Sequence, residues 1–511
     1  MQFVATCLFG LEKYLGDEIE ALGLRKLETM DGRVTFEGEP IDCARANIGL
    51  RTAERVLIKV GSFPATDFSM LFDGTKALPW ETFIGENDAF PVRGHSIRSG
   101  LTSLPDCQSI IKKAVVSRLQ EFYTYDIFPE TGAKYQIEFF LFKDVVTLMI
   151  DTSGEPLHKR GYRPASGGAP LRETLAAAMV MNARLSEDIL LWDPFCGSGT
   201  ILIEAVLYMN RIAPGLDRSF SGEQLACLPP ELWEKARAEA EAEIRYDSAF
   251  EAWGSDLDEE VLGIAKENAL RAGVLDQIKF FRADARGIRK PEGRKGTILT
   301  NPPYGERLLT VDEAEELYRA IGRNFSFFAP WQIYVLTMSE TFERAYGRRA
   351  DRVRKLYNGM IPCNLYQYYL SDAARVERGI ERGKGGYHPF DRPKDKGRGG
   401  AVPRDGYDRS DKGNRYDKGD RYDRSRRDDR KSYGGREERA PRGEKSYVRG
   451  NQGQTDRGNG GKPRDARGGD PKRTQVWRER NEREIPVRYM NPQKRNASAG
   501  ETEPQNDDKK D

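Results

Sequence analysis

Apolar positions along the chain alternate with a period of two in some segments and recur at helical spacing in others. In the first 154 residues, short apolar runs such as Phe3–Leu8 and Val145–Asp151 predict strands, whereas Leu11, Leu15 and Ile19 share one face of a predicted helix. Residues 1–60 and 61–154 are therefore two predicted α+β modules. Lys143 and Asp144 separate two strand-like runs, which predicts a hairpin turn.

Residues 155–374 show a different pattern, in which strands and helices follow each other regularly. This alternation predicts an α/β domain with a doubly wound, mostly parallel sheet. The predicted strands are Ile189–Trp192, Phe250–Gly254, Ile278–Arg282, Thr297–Thr300 and Gln332–Thr337, with Val353–Tyr357 and Leu365–Leu370 as an antiparallel pair at one edge.

The C-terminal segment, 375–511, has neither pattern. From residue 381 onward it holds 36 basic and 25 acidic residues, a net charge of +11, which leaves 46 basic and 55 acidic residues, a net of −9, for residues 1–380. Few of its residues are large and apolar, so folding could not offset the loss of chain entropy. We therefore expect a disordered basic tail. The whole-chain net charge of +2 arises because the positive charge of the tail cancels the negative charge of the first 380 residues.

The composition also bears on location and metals. No apolar run is long enough for a bilayer, and acidic residues soon follow the N-terminus, so neither a membrane span nor a signal peptide is expected. The six cysteines form no C-x-x-C pair and the three histidines have no metal-ligand spacing, which predicts reduced thiols and no metal site. The sequence indicates a cytoplasmic protein. It does not determine the oligomeric state, and a monomer is compatible with it.

The segment from Asp193 to Thr200 is the first that points to chemistry. A strand ends in an acid, a turn with Gly197 and Gly199 follows, and an apolar helix begins. Glycines there permit positive φ and close approach of a ligand to the backbone. The turn alone is compatible with NAD, FAD, another nucleotide or S-adenosylmethionine, but it lacks the six-residue Rossmann fingerprint and the Walker lysine.

Acids recur at the ends of the next predicted strands. Asp256 can accept hydrogen bonds from ribose hydroxyls, and Asp284 can accept one from an adenine amino group. Either acid alone would more simply be a solvated turn residue. Their recurrence at successive strand ends favours a nucleoside-like ligand.

The run Asn301-Pro302-Pro303-Tyr304 follows the fourth predicted strand. The side-chain oxygen of Asn301 and the carbonyl of Pro302 can both accept hydrogen bonds from an exocyclic amine. The ring of Tyr304 can stack on the base that carries this amine. Downstream of the Gly-rich turn, the run indicates methyl transfer to an amino group.

These motifs are similar to those of class I S-adenosylmethionine-dependent methyltransferases of the Asn-Pro-Pro-Tyr type, and residues 1–154 resemble the front of the THUMP-domain RNA methyltransferases. Over about three-quarters of its length the chain resembles the bacterial 23S ribosomal RNA guanine-N2 methyltransferase family, the RlmL/YpsC-like group. The resemblance is carried by Gly10–Glu12, Lys159–Arg163, Ala169–Ala176, Asp193–Thr200 and Asn301–Leu308.

The resemblance implies a ferredoxin-like module (1–60), a THUMP RNA-binding domain (61–154), a Rossmann-like methyltransferase domain (155–374) and S-adenosylmethionine as cofactor. It implies methylation of a flipped guanine at N2 in bacterial large-subunit rRNA by direct in-line transfer. The implied cofactor-binding residues are Glu173, Thr174, Asp193, Phe195, Gly197, Gly199, Asp256, Asp284 and Asn301. The implied catalytic residues, which would hold the base, are Asn301, Pro302 and Tyr304.

Basic side chains are the candidates for RNA contact. Lys112, Lys113 and Arg118 lie on one predicted helix face, for which a solvated surface is an equal alternative. Arg163 and Arg172 would contact phosphate or form structural salt bridges. The tail interleaves Arg, Lys, Tyr and Gly and so suits exposed RNA, although a role in solubility is the alternative. RNA, rRNA or a pre-ribosomal particle, is the predicted partner.

Alternatives concern two single residues and the function, for which there are three. Arg307 could pair with Glu306 or Glu316, or reach substrate, and Cys196 is expected to be a small turn residue rather than a nucleophile. The same architecture serves tRNA guanine-N2 methyltransferases, and the Asn-Pro-Pro-Tyr run also suits a DNA adenine-N6 enzyme. A non-catalytic RNA-binding or ribosome-assembly factor with a relic cofactor pocket is the third alternative.

Overall fold

A computed structural model describes residues 1–163, 171–304 and 309–369. The predicted tail, Arg307 and parts of two motifs (164–170 and 305–308) lie outside these residues.

The first 151 residues build one seven-stranded sheet with four helices. Its strands are β1 Gln2–Cys7, β2 Arg25–Met30, β3 Arg33–Glu37, β4 Ala53–Pro64, β5 Val92–Ile97, β6 Ile137–Phe142 and β7 Val145–Asp151. Its helices are α1 Glu12–Ala21, α2 Pro40–Gly49, α3 Phe68–Lys76 and α4 Leu104–Leu119. The strand order is β2-β3-β1-β4-β7-β6-β5, and only β5 and β6 run parallel.

The two predicted front modules share this sheet, because β4 runs without a break across the predicted boundary at residue 60. Its first half pairs with β1 and most of its length pairs with β7, so one strand joins the two modules. The predicted turn between β6 and β7 is present: Lys143 and Asp144 have φ of +51° and +61°, as a two-residue hairpin turn requires.

The second sheet belongs to the remaining described residues. Its strands are β8 Ile189–Asp193, β9 Ala252–Asp256, β10 Ile278–Arg282, β11 Lys295–Thr300, β12 Gln332–Thr337, β13 Arg352–Asn358 and β14 Ile361–Tyr368. The helices are α5 Glu173–Ala183, α6 Thr200–Met209, α7 Pro230–Ala242, α8 Glu259–Arg271, α9 Val311–Phe325 and α10 Phe342–Tyr346. The strand order is β10-β9-β8-β11-β12-β14-β13, parallel except for β14, which runs antiparallel to both of its neighbours.

This order reverses direction between β8 and β11, the point where open α/β sheets bind ligands beyond the carboxyl ends of their strands. Local signals fix the flanking helices. Asp258 caps α8 by accepting hydrogen bonds from the backbone of Glu260 and Val261, and Thr310 forms a capping box with Glu313 at the start of α9. The predicted α/β fold class is confirmed.

The front packs firmly on the second sheet, since one apolar cluster includes buried residues of both, from Phe3 to Leu365. Polar contacts reinforce the junction. The buried guanidinium of Arg51 donates to the carbonyl oxygens of Leu207 (3.3 Å) and Ile212 (2.7 Å). These contacts hold the front against the C-terminal end of α6.

Candidate active site

Asp193, the last residue of β8, is 1% exposed. Its carboxylate accepts hydrogen bonds from the hydroxyl of Thr300, at the end of β11 (2.6 Å), and from the backbone N–H of Phe195 (3.1 Å). Burial raises the pKa of Asp193 to about 7, because desolvation outweighs these two hydrogen bonds. Asp193 thus joins the two strands that flank the switch point and brings a buried acid to it.

The turn after β8 needs both of its glycines. Gly197 and Gly199 have φ of +50° and +82°, and the backbone N–H of Gly197 donates to Oδ2 of Asp256 (3.0 Å). A Cβ at Gly197 would meet no atom within 4 Å, so this position borders open space. A Cβ at Gly199 would lie 3.3 Å from that of Ala265, so this position is packed against α8.

The two predicted acids of the next strands lie in different surroundings. Asp256 ends β9 and lines the same cavity as Asp193 and Gly197. Asp284, two residues after β10, is not among the residues that line this cavity and forms an ion pair with Arg286 (2.6 Å). Hydrogen bonds from Arg286 hold the pKa of Asp284 below its ordinary value. The structure therefore places Asp256 in the lining of this cavity and Asp284 in an ion pair with Arg286.

The Asn301–Tyr304 segment lies beyond β11 and lines the cavity with all four residues. The hydroxyl of Tyr304 donates to Oδ1 of Asn301, the oxygen predicted to accept a substrate amine. The hydroxyl of Tyr318 in α9 donates to the carbonyl of Pro303 (2.8 Å) and so fixes the turn. An incoming amine must share Oδ1 with the Tyr304 hydroxyl or displace it.

The cavity has a volume of about 640 Å³ and a chemically mixed lining. The lining includes acidic and Gly-rich positions that the sequence predicts, namely Asp193, Gly197 and Asp256. It also includes basic groups and residues of the hairpin between β13 and β14, which the sequence does not connect with the Gly-rich turn. The lining residues absent from the predicted cofactor and base sites include His158, Met338, Asn358, Gly359, Ile361 and Cys363.

Glu173 and Thr174 begin α5 but are not among the residues that line the cavity. Buried Glu173 pairs with Arg163 (2.6 Å), which also donates to the hydroxyl of Thr200 (3.2 Å). Of the two alternatives for Arg163, phosphate contact or a structural salt bridge, the structure shows the salt bridge. Arg163 also lines the cavity.

Glu54, on β4 of the front, was not predicted from the sequence. Its carboxylate accepts hydrogen bonds from Thr174 (2.7 Å) and Arg172 (3.0 Å) and lies 2.8 Å from Nδ1 of His158. Burial favours the neutral acid, but the hydrogen bonds from His158 and Thr174 and the charge of Arg172 outweigh it and lower the pKa of Glu54. The front module thereby supports one wall of the cavity.

The predicted basic face of α4 is largely neutralised by the protein itself. Lys112 pairs with Glu130 and lies over the ring of Phe90, and Arg118 forms a two-pronged ion pair with Glu81 (2.6 and 2.9 Å). Lys113 is exposed. Most of this face therefore has a structural role.

The cavity fits a nucleoside-like cofactor that carries positive charge. Its volume lies in the usual range for small-molecule sites, the open side of Gly197 permits close approach, and Asp193 and Asp256 offer acceptors. Among residues 1–163, 171–304 and 309–369, no group of three or more His, Cys, Asp or Glu side chains could hold a metal ion. No helix in the described part of the chain is long and apolar enough to cross a membrane.

The strand order together with this cavity defines the class I methyltransferase fold. Three family models match the chain: a ferredoxin-like domain of RlmL over residues 2–57, a THUMP domain over 65–151 and an RMKL-like methyltransferase domain over 160–367. Residues 58–64, between the matches to the first two family models, lie within β4, the strand that joins the two front modules.

Individual relatives extend the match. The chain is 45% identical over 368 residues to the putative RNA methyltransferase YpsC of Bacillus subtilis, covering 72% of this chain and 95% of the relative. It is 35% identical over 373 residues to the ribosomal RNA large subunit methyltransferase K/L of Psychromonas ingrahamii, covering 71% of this chain but only 49% of that relative. The chain thus spans about half the length of the K/L relative.

A solved structure agrees with these relatives. SMU.472, a putative methyltransferase complexed with S-adenosylhomocysteine, is 38% identical, superimposes with a TM-score of 0.69, and is matched over 72% of this chain and 98% of its own. The chain belongs to the THUMP-containing family of S-adenosylmethionine-dependent RNA methyltransferases that includes YpsC.

Proposed function

We propose that the protein transfers a methyl group from S-adenosylmethionine to the exocyclic N2 amine of a guanine in large-subunit ribosomal RNA. The observation that carries the proposal is that the Asn301–Tyr304 segment and the Gly-rich turn after Asp193 line one cavity. An amine-binding element and a cofactor-binding element therefore face the same space.

In this proposal Asp193, Phe195, Gly197 and Asp256 hold the cofactor. When bound, S-adenosylmethionine supplies a methyl group on a sulfonium centre, which is activated enough to be transferred directly to an amine. Cys196 takes no part as a nucleophile, since burial raises the pKa of its thiol far above the ordinary value.

The chain's own residues position the base. Oδ1 of Asn301 and the carbonyl of Pro302 accept the two N–H bonds of the amine, which directs its lone pair away from the protein oxygens. The ring of Tyr304 stacks on the guanine after the base has left its helix. The proton that the amine loses leaves to solvent, so no residue need act as a strong base.

Asn301→Ala tests this mechanism. We expect methyl transfer to fall by about a hundredfold or more, because misplacing the amine removes the positioning on which the reaction depends. Calorimetry should show nearly unchanged binding of S-adenosylmethionine, since Asp193 and Asp256 remain. Undiminished transfer by the variant would refute the mechanism, and no heat of cofactor binding by the wild type would favour the non-catalytic assembly factor.

A matched pair at Tyr304 separates the ring from its hydroxyl. Tyr304→Phe keeps the stacking surface and frees Oδ1 of Asn301, so transfer should stay within about tenfold, whereas Tyr304→Ala should lose it. Mass-spectrometric mapping of rRNA and tRNA from a strain lacking the protein then identifies the nucleotide. A missing N2-methylguanine in tRNA alone would favour the tRNA alternative.

A further inference from the structure

A second cavity, of about 410 Å³, lies at the other end of the methyltransferase sheet. Arg352 begins β13 and lines this cavity, whereas Asn358 ends β13 and lines the catalytic one. At about 3.3 Å per residue the two positions are roughly 20 Å apart. The second cavity is therefore separate from the site that holds cofactor and base.

The charge of this cavity is strongly positive. Lys13, Arg184, Arg352 and Arg354 line it, and Asp17 is its only acidic lining residue in the described part of the chain. Asp17 is paired with Lys13 (2.7 Å), whereas none of the three arginines forms an ion pair with a carboxylate of the described residues. Many other arginines of residues 1–369, such as Arg118 and Arg163, do form such pairs.

Three residues that line this cavity also hold a buried hydrogen-bond donor without a partner among the described residues. The residues are Asn182, Arg354 and Gln367, all of which line the cavity. The donors are Nδ2 of Asn182, Nε of Arg354 and Nε2 of Gln367, and none of them has an acceptor among the described residues. Gln367 is only 3% exposed. Buried donors are costly unless they are satisfied, so the cavity suits a ligand that presents only acceptors and carries negative charge, as a phosphate does.

Tyrosines supply a second kind of contact. Tyr14, Tyr208, Tyr334 and Tyr369 line the cavity, and the guanidinium of Arg354 lies 5.3 Å from the centre of the Tyr14 ring. Alternating cations and aromatic rings are the usual surface for single-stranded nucleic acid. In the sequence, Tyr369 precedes by 12 positions the start of the +11 segment of interleaved Arg, Lys, Tyr and Gly at Glu381.

We propose that this cavity, lined by Arg184, Arg352, Arg354, Asn182 and Gln367, binds a backbone phosphate of the RNA substrate at a distance from the modified base. The proposal rests on the proposed function for the identity of the ligand. The second cavity would hold the RNA backbone at one end of the sheet and so set its position. The base to be modified would then enter the catalytic cavity beside Asn301 at the other end.

The test is Arg184→Gln combined with Arg352→Gln in the full chain, because both side chains are exposed and their loss should not disturb folding. The control is Arg271→Gln with Arg294→Gln, which removes the same charge from two exposed arginines paired with Glu267 (3.1 Å) and Glu251 (2.8 Å). Fluorescence anisotropy with a labelled oligouridylate 20-mer is measured over a range of KCl concentrations, and calorimetry checks cofactor binding in each variant.

Losing one phosphate contact should reduce the slope of log K against log salt by about 0.7, so the cavity variant should lose about 0.7 in slope and about 5-fold in affinity at 0.1 M salt. The control should keep the wild-type slope. Equal slopes for the two variants would overturn the proposal. A rise in melting temperature with AMP that equals the rise with the oligonucleotide, and that disappears in the cavity variant, would assign the cavity to a free nucleotide instead.

The outcomes also separate this site from the proposed function. If the wild type binds RNA and methylates it while the cavity variant behaves like the control, only the phosphate site is lost. If the wild type neither binds RNA nor transfers methyl groups, the proposed function is lost as well.

Discussion

Asp193→Asn should stabilise the free protein at alkaline pH, although it removes a residue of the proposed cofactor site. Asp193 is buried, and its pKa is raised from 3.8 to about 7. A carboxyl with a raised folded-state pKa contributes stability that is present at low pH and is lost as pH rises through the folded pKa. Asparagine has nearly the same shape, can accept the same hydrogen bonds from Thr300 and Phe195, and never ionises.

The magnitude follows from the two pKa values. One pKa unit corresponds to about 1.4 kcal/mol, so keeping a titratable carboxyl should cost the folded state about 2 kcal/mol at pH 5, where the group is ionised only in the unfolded chain, and about 4 kcal/mol above pH 8. The measurement is urea unfolding of wild type and variant without cofactor between pH 5 and 8.5, followed by tryptophan fluorescence. The midpoint difference should favour the variant and should widen with pH.

Asp284→Asn is the matched control, because its pKa is lowered and not raised. That substitution removes an exposed ion pair with Arg286, so it should destabilise the protein by less than about 1 kcal/mol, with the opposite sign. A constant midpoint difference for Asp193→Asn across the pH range, or a loss of stability at pH 8.5, would refute the reasoning. Calorimetry should show weaker binding of S-adenosylmethionine by Asp193→Asn, since that variant lacks a carboxylate to face the sulfonium.

Two further predictions concern RNA and the junction with the front. Glu54→Gln removes the negative charge that Arg172 and His158 contact, so the protein should lose about 2 kcal/mol of stability. The variant should also show a lower kcat for methyl transfer, with unchanged cofactor binding. An unchanged melting temperature would contradict this role of Glu54. Deleting residues 381–511 should weaken RNA affinity and flatten its salt dependence, measured by anisotropy over a KCl series, and if neither changes, the tail is not an RNA-binding element.

Local patterns were sufficient for most of the fold. Strands such as Ile278–Arg282 and Gln332–Thr337 have the predicted bounds, and an apolar helix follows the Gly-rich turn as predicted, because the apolar periodicity of these segments is strong and their ends are marked. The strand β2, Arg25–Met30, was not predicted. It is a mostly exposed edge strand, so its side chains carry no apolar alternation, and only its pairing with β3 defines it.

The site shows the same division between local and long-range information. Asp193, Gly197, Asp256 and Asn301 could be found because each stands at a strand end and the sheet topology brings strand ends together. Glu54 could not, because its contacts with Arg172 and Thr174 join residues more than a hundred positions apart. The hairpin residues Asn358, Gly359, Ile361 and Cys363 line the cavity only because β14 pairs back onto β12.

The charge distribution explains how an acidic body can bind RNA. The first 380 residues carry a net charge of −9, so their overall field repels a polyanion, and Lys112 and Arg118 are already neutralised by Glu130 and Glu81. Arginines without carboxylate partners are therefore the groups that can pair with phosphate without first breaking an ion pair. The second cavity holds three such arginines, so RNA binding there should be strongly salt-dependent while cofactor binding is not.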